Sequence, residues 1–562
     1  MKRRILLFTI LFFVSVFLLN AQFPDAKRWH KYELVFESTV VYENPIHDVR
    51  NFEIAFTSPT GIVNTINGFW DGATTWKARF MPEETGEWSF ETECSDTENK
   101  GLHRQRGTFI CYSDEEELDI YEHGPVINPP GTYYLTHADG TPFFWLACTA
   151  WNGALKSTDS EWDKYLKQRV DNGYSVIQFV TTQWRGGDKS SEGLIAFEGC
   201  GRISINPDFF RLIDEKIDKI NEYGLVAAPV VLWALPVGAG RELSPGYYLP
   251  DDQAILLAKY IVARYGGNQV VWMLGGDGFY TGTHEQRWKT IGRSVFGGKH
   301  QGLVTQHPSG RQWIGEVYKD ETWIDIIGYQ SSHSNSEGTV NWITKGPVSE
   351  MWSMLPARPI INLEPNYEEI HFRITDKDVR NASYWSIFAA PIAGVTYGAN
   401  GIWPWLREGE EILNHEKATG TSTWDVSINF PGSLQMGYLA QFIRRFAWWD
   451  FYPAQELLLE QPGDKVYNHF VSITKTTDNK TILAYIPVKE SVMIRKPAGH
   501  NYSVRWFDPV NNTYSNGTGT DDGDVLMVTS PKDSDMVLIL EEVVPDKDIK
   551  PPNRRNVIRT RD

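Results

Sequence analysis

The chain has 562 residues, of which 41% are hydrophobic and 22% charged, and a formal net charge of −17; that length calls for several domains with their own cores. Such an acidic balance disfavours a nucleic-acid-binding surface or an anionic-membrane partner, both of which need clustered Lys and Arg, and makes a neutral substrate easier to accommodate. Four cysteines, Cys94, Cys111, Cys148 and Cys200, are too few for a disulfide scaffold and lack metal-ligand spacing; Cys94 and Cys111 are read either as a bridge or as two reduced, buried thiols.

At the start, Met1 to Arg4 are basic and Ile5 to Leu19 are apolar, followed by Asn20 and Ala21. This is the pattern of a secretory signal peptide over residues 1–21, and the apolar run is shorter than the roughly 20 residues of a membrane span. A secreted or periplasmic protein, free of the membrane after cleavage, is the expectation. Residues 27–113 alternate in short runs such as YELVFES, NFEIAFTSPTG, EWSFETEC and GTFICY, which predicts an N-terminal antiparallel β-sandwich. The acidic stretch Asp114 to Asp119 opens a solvated linker over 114–130.

From about Phe143 apolar strands alternate with amphipathic helices. Eight strand candidates appear: FFWLACTAW, VIQFVT, VAAPVVLW, VVWMLGGD, LVTQHP, DIIGYQ, PIINLEP and GVTYGANGIW. The clearest helices start near Ser160, after Asn206 and at Asp251. Eight β/α units over 131–450 predict a central (β/α)₈ TIM barrel. A doubly wound open sheet is second, and no GxGxxG follows any strand. The period then returns to short β runs, giving a C-terminal β-sandwich over 451–543 and a charged, disordered tail over 544–562.

In a barrel, functional groups sit at the C-terminal ends of the strands. Two apolar runs end there on a carboxylate, Asp277 on the fourth strand and Glu364 on the seventh, and two carboxylates are what glycosidic hydrolysis requires. Other strand ends supply Trp151, Asn152, Gln183, Trp184, Arg185, Trp233, His307, Gln330, His333, Trp403 and Trp405, which would give a pocket aromatic walls and hydroxyl-binding partners. The 22 Trp, 25 Tyr and 28 Phe of the chain suit stacking on sugar faces, although any single Trp fits a core or interface role as well. No HExxH spacing and no Gly-x-Ser-x-Gly elbow occurs, so neither a cofactor nor a catalytic metal is expected. A non-catalytic secreted glycan-binding or adhesin protein is the alternative, because two sandwiches and many aromatics would suffice for it. Nothing in the sequence reads out the oligomeric state.

The segments LTHADGTPFFWLACTAW, NQVVWMLGGD, TQHPSGR and IINLEPNYE resemble the apiosidase-like (DUF4038-type) glycoside hydrolase domain. Residues 27–113, with FWDGATTWKARFMPEETGEWSF, resemble the DUF5060-type sandwich that precedes such barrels, and roughly 455–541 resembles a collagen-binding-type sandwich. The resemblance implies a barrel enzyme acting on plant or microbial polysaccharide, with pectin-type, apiose-containing side chains favoured. It matches Asp277 to the family's acid/base and Glu364 to its nucleophile. The wider clan of retaining barrel hydrolases carries Asn-Glu at the fourth strand, where this chain has Gly276-Asp277, one methylene shorter. Retention is implied by the clan resemblance alone.

Overall fold

A computed structural model describes residues 21–298, 300–415 and 420–543. The expected signal peptide, apart from Ala21, and the expected tail lie outside the described residues.

The N-terminal region is a two-sheet sandwich. Strands Phe52–Thr57, Val63–Asn67, Gly86–Cys94 and Arg106–Tyr112 form one sheet; Tyr32–Glu37, Phe69–Trp70 and Thr75–Phe80 form the other. Alternation decides which side chains face inward: Tyr32, Leu34 and Phe36 from one sheet meet Phe52, Ile54, Phe56, Trp88, Phe90 and Phe109 from the other in a single core. The register also settles the cysteine question. Cys94 pairs with Phe52, whereas Cys111 pairs with Gly86, eight positions away along the same strand. At about 3.3 Å per residue that is on the order of 26 Å, far beyond a disulfide, and both thiols are free and buried.

The central region holds eight parallel strands: β1 Trp145–Thr149, β2 Val176–Val180, β3 Val226–Trp233, β4 Val271–Gly278, β5 Leu303–Pro308, β6 Ile327–Gln330, β7 Ile360–Glu364 and β8 Gly394–Ala399. Their order is β5-β4-β3-β2-β1-β8-β7-β6. The amides of Asp325 and Ile326 donate to Val304 O at 2.8 and 3.2 Å, so the β5–β6 seam is nearly closed. Strands covered on both faces need no polar alternation, and every residue of β3 is buried.

The helices form where their caps dictate. Thr158 and Glu161 make a reciprocal capping box on α1 (Asp159–Asp171), and Asn206 accepts from Asp208 N at the start of α2 (Pro207–Glu222). Acidic Asp251 and Asp252 occupy the first turn of α3 (Asp251–Tyr265), where the helix dipole favours them. Thr375 and Asp378 box the start of α4 (Asp376–Phe388), and α5 spans Pro431–Ile443.

Both flanking regions dock through buried, paired charges. Asp214 of α2 accepts from Arg79 of the N-terminal sandwich (2.9 and 2.8 Å) and from Arg264 of α3 (2.7 and 2.6 Å). Arg264 also reaches Asp71 at 2.8 Å. At the other end, strands including Ser472–Thr476, Thr481–Ile486, Tyr502–Asp508 and Met536–Glu542 build the C-terminal sheets. Arg380 of α4 binds Asp535 bidentately at 2.8 Å. Tyr384 stacks on Tyr485, Phe442 on Phe507, and Trp385 donates to Phe470 O. Among the described residues no helix is long and apolar enough to cross a membrane.

Candidate active site

Asp277 and Glu364 both sit at irregularities in the strand ladder. The β4–β5 register shifts between Met273 and Gly276 and again between Gly276 and Gly278, and the β6–β7 register shifts where Gln330 meets Glu364. Such bulges re-aim side chains at the rim of a barrel. Asp277 itself has φ 50°, a left-handed conformation that Asp tolerates better than most residues. The glycine before it has a steric cause: a Cβ on Gly276 would lie 2.6 Å from the Trp233 ring and 2.7 Å from Val230. An Asn at that position, as in the wider clan, does not fit beside this tryptophan.

One imidazole links the two acids. The Asp277 amide donates to His307 Nδ1 at 3.2 Å, and His307 Nε2 lies 2.9 Å from Glu364 Oε2, off the line of a well-directed hydrogen bond. Because Nδ1 accepts, His307 is the tautomer with its proton on Nε2. His333 Nε2 is 2.8 Å from Glu364 Oε1, and its Nδ1 is 2.8 Å from Pro365 O. Ser309 Oγ is shared between Asp277 O (2.9 Å) and Oδ1 (3.1 Å).

These contacts push the two carboxyls in opposite directions. Burial would raise Glu364, but His307 and His333 outweigh it and hold Glu364 well below the usual carboxylate range. Burial first, then the charge of Glu364, pushes Asp277 up to about 6, against the opposing pull of His307, Ser309 and Arg185. One acid that stays ionised beside one that holds its proton longer is the division that acid-assisted displacement needs.

The remaining strand-end residues fall into two groups. Trp233, Trp403 and Gln330 reach the mouth with Trp233 Nε1, Trp403 Nε1 and Gln330 Oε1 buried and without a protein partner among the described residues. Arg185 donates to Asn414 O at 3.1 Å and lies within electrostatic reach of Asp277. By contrast, Asn152, Gln183, Trp184 and Trp151 spend their polar atoms inside the protein. Asn152 donates to Gly186 O and Pro404 O and accepts from Trp184 Nε1; Gln183 bonds Phe197 O and Ala196 N; Trp151 Nε1 donates to Tyr367 OH. The Trp151 and Trp184 rings pack against Trp233, forming the wall behind it. Trp405, expected at the pocket, turns away: it stacks on Trp424, packs on Trp162 and Tyr165, and donates to Glu161. A tight turn after Trp403, with Trp405 at φ 54°, reverses its direction.

The sequence profile of the "Apiosidase-like, catalytic domain" matches residues 130–450, and the domain of unknown function DUF5060 matches residues 25–95. The chain belongs to the apiosidase-like family. It is therefore a glycoside hydrolase. A solved glycoside hydrolase shares its fold at 24% identity and TM-score 0.65, covering 76% of this chain and 98% of the other. A glycoside hydrolase family 5 protein from Bacteroides vulgatus ATCC 8482 does so at 23% identity and TM-score 0.66, covering 76% and 95%. A further Bacteroides vulgatus ATCC 8482 structure extends the likeness over 92% of this chain and all of its own length, at 18% identity and TM-score 0.67. Curated protein sequences give no significant match.

In this apiosidase-like site three residues escaped the strand-end reading: Ser309, Tyr367 and His415. The first two lie within the TQHPSGR and NYE segments, one and three residues past the ends of β5 and β7, so the signal was adjacency to a singled-out motif. His415 comes from the long loop after β8, with its ring 4.7 Å from Trp403, and no local pattern marks it. Among the described residues, the triad of His and acid groups close enough to share an ion, Asp119, Glu122 and His123, lies on a helical turn ahead of β1 and contributes nothing to the mouth.

Proposed function

We propose that the protein hydrolyses a glycosidic bond in plant or microbial polysaccharide by a retaining, two-carboxylate route, with pectin-type side chains such as apiose-containing ones as the favoured substrate. The observation that carries this reading is the pair of carboxyls at one barrel mouth, joined through His307 with His333 on the far oxygen of Glu364, an arrangement that pushes Asp277 up and holds Glu364 down. Glu364, ionised, attacks the anomeric carbon while the bond to the leaving oxygen breaks and that oxygen takes the Asp277 proton. Asp277 then removes a proton from water, which displaces Glu364 and releases the sugar. The unpartnered indole N–H groups of Trp233 and Trp403 and the carbonyl of Gln330 suit a ligand rich in hydroxyls.

The flanking sandwiches, taken as 27–113 and 451–543, act in this reading as braces, which their buried salt bridges to the barrel support. The basic and apolar start of the chain supports export to the periplasm or beyond. Incubating the purified protein with a panel of pectic, hemicellulosic and microbial glycans, with chromatography of the released sugar and NMR of its first-formed anomer, tests the proposal. Release of a sugar with the anomeric configuration of the substrate is expected; inversion would overturn the retaining route, and inactivity across the panel would overturn the substrate class.

A further inference from the structure

The two ring nitrogens of His333 face two groups that only accept. Pro365 O is a carbonyl 2.8 Å from Nδ1, and Glu364 Oε1 is a carboxylate oxygen 2.8 Å from Nε2. A neutral imidazole has one N–H and satisfies one of them. Moving the proton onto Glu364 would satisfy both contacts, but the surroundings of Glu364 hold it well below the usual carboxylate range and favour its ionised form.

We propose that His333 is a positioning residue held as an imidazolium, clamped between Pro365 O and Glu364 Oε1, so that the Glu364 charge is neutralised where it rests and Oε2 is left as the oxygen that attacks. The groups facing His333 agree with a cation there. Glu364 supplies the opposite charge and the Tyr367 ring lies 4.2 Å away, presenting a polarisable π face. His371, from the loop after β7, is lowered by burial and then by His333, with Arg373 adding to the effect, and so stays neutral. His307 and Asp277 lie beyond Glu364. Oε1 carries the charge-assisted bond, and Oε2 has no well-directed partner. When Oε2 forms its bond to carbon, Oε1 becomes the ester carbonyl, still polarised by His333, and takes the charge back when water displaces the carboxylate.

The consequence for catalysis rests on the proposed hydrolytic roles; the protonation state does not. The test is nitrogen NMR of the full-length protein labelled with ¹⁵N-histidine at pH 7.5, with His333 assigned from its loss in H333Q or, should that variant fold poorly, H333N. Two protonated ring nitrogens are expected for His333 in the wild type, with reversion to a neutral ring in E364Q. A neutral His333 in the wild type, or an imidazolium unchanged in E364Q, would overturn the proposal. In glycan release, H333Q should move the acidic limb of the pH profile upward by about 1 unit or more with KM little changed; an unmoved limb counts against the clamp. Inactivity of the wild type on glycans would instead defeat the hydrolytic reading and leave the NMR result standing.

Discussion

The ring of Trp233 occupies the space that a side chain on Gly276 would need, with its Cε3 atom 2.6 Å from the Cβ position. Trp233 ends β3 and Gly276 immediately precedes Asp277, so the aromatic wall of the mouth and the placement of one acid are a single packing decision.

Gly276→Ala is therefore expected to force Trp233 or β4 to move. Overpacking of this kind costs about 1–3 kcal/mol. Urea unfolding should show that loss, and glycan release should fall by more than the stability change accounts for, because Asp277 moves with the strand. An Ala variant with wild-type stability and activity would show that the wall yields freely.

The opposite shifts of the two acids set the pH profile. In the proposed mechanism Glu364 acts as a carboxylate, so activity is lost as pH falls through its depressed value, and Asp277 acts first as an acid, so activity is lost as pH rises through its elevated one. A bell of kcat/KM with its basic limb above the ordinary carboxylate range is expected. In Ser309→Ala, a donor to Asp277 is removed, and the basic limb should move further up. A limb that stays in place in S309A would separate Ser309 from the titration.

Asp214 joins the N-terminal sandwich to the barrel by accepting from Arg79 and Arg264. Removing one partner of a buried ionic cluster costs about 3–5 kcal/mol because the remaining charges are stranded; D214A should show that loss in denaturant unfolding. Burial pushes Asp214 up, yet Arg79 and Arg264 outweigh it and the folded value is lowered. Its contribution is thus present above the unfolded carboxylate value, about 3.9, and fades as pH falls through the folded one. The stability gap between wild type and D214A should be constant near neutrality and narrow only in strong acid.

Truncation before the C-terminal sandwich, at residue 450, is expected to yield insoluble protein. It would expose Trp385, Tyr384 and Phe442 and strip Arg380 of Asp535. Soluble, active truncated enzyme would make that sandwich an appendage.

Much of this architecture was legible because its signals are local. Strand alternation from Tyr32 to Tyr112, the Asn206 cap and the two runs ending at Asp277 and Glu364 are each readable within a dozen residues. The site was less legible where direction depends on distant packing. Trp405 and Trp403 differ by two positions in one aromatic run, and the turn that sends Trp405 toward Trp424 is set by contacts with α1. Asn152 looked available to substrate, yet its three hydrogen bonds go to residues 184, 186 and 404, which no spacing reveals. The choice between a bridge and two free thiols at Cys94 and Cys111 stayed open in the sequence for the same reason, since it is register that places them far apart.

The most direct test of the account is the rate of reducing-sugar release from a pectic polysaccharide on which the wild type is active, measured for D277N and E364Q with unfolding curves recorded alongside. Both variants should fold as the wild type does and lose release by several orders of magnitude, roughly 10³-fold or more, as expected when a nucleophile or a general acid is removed. Release near the wild-type rate by either folded variant would contradict the assignment of the two carboxylates.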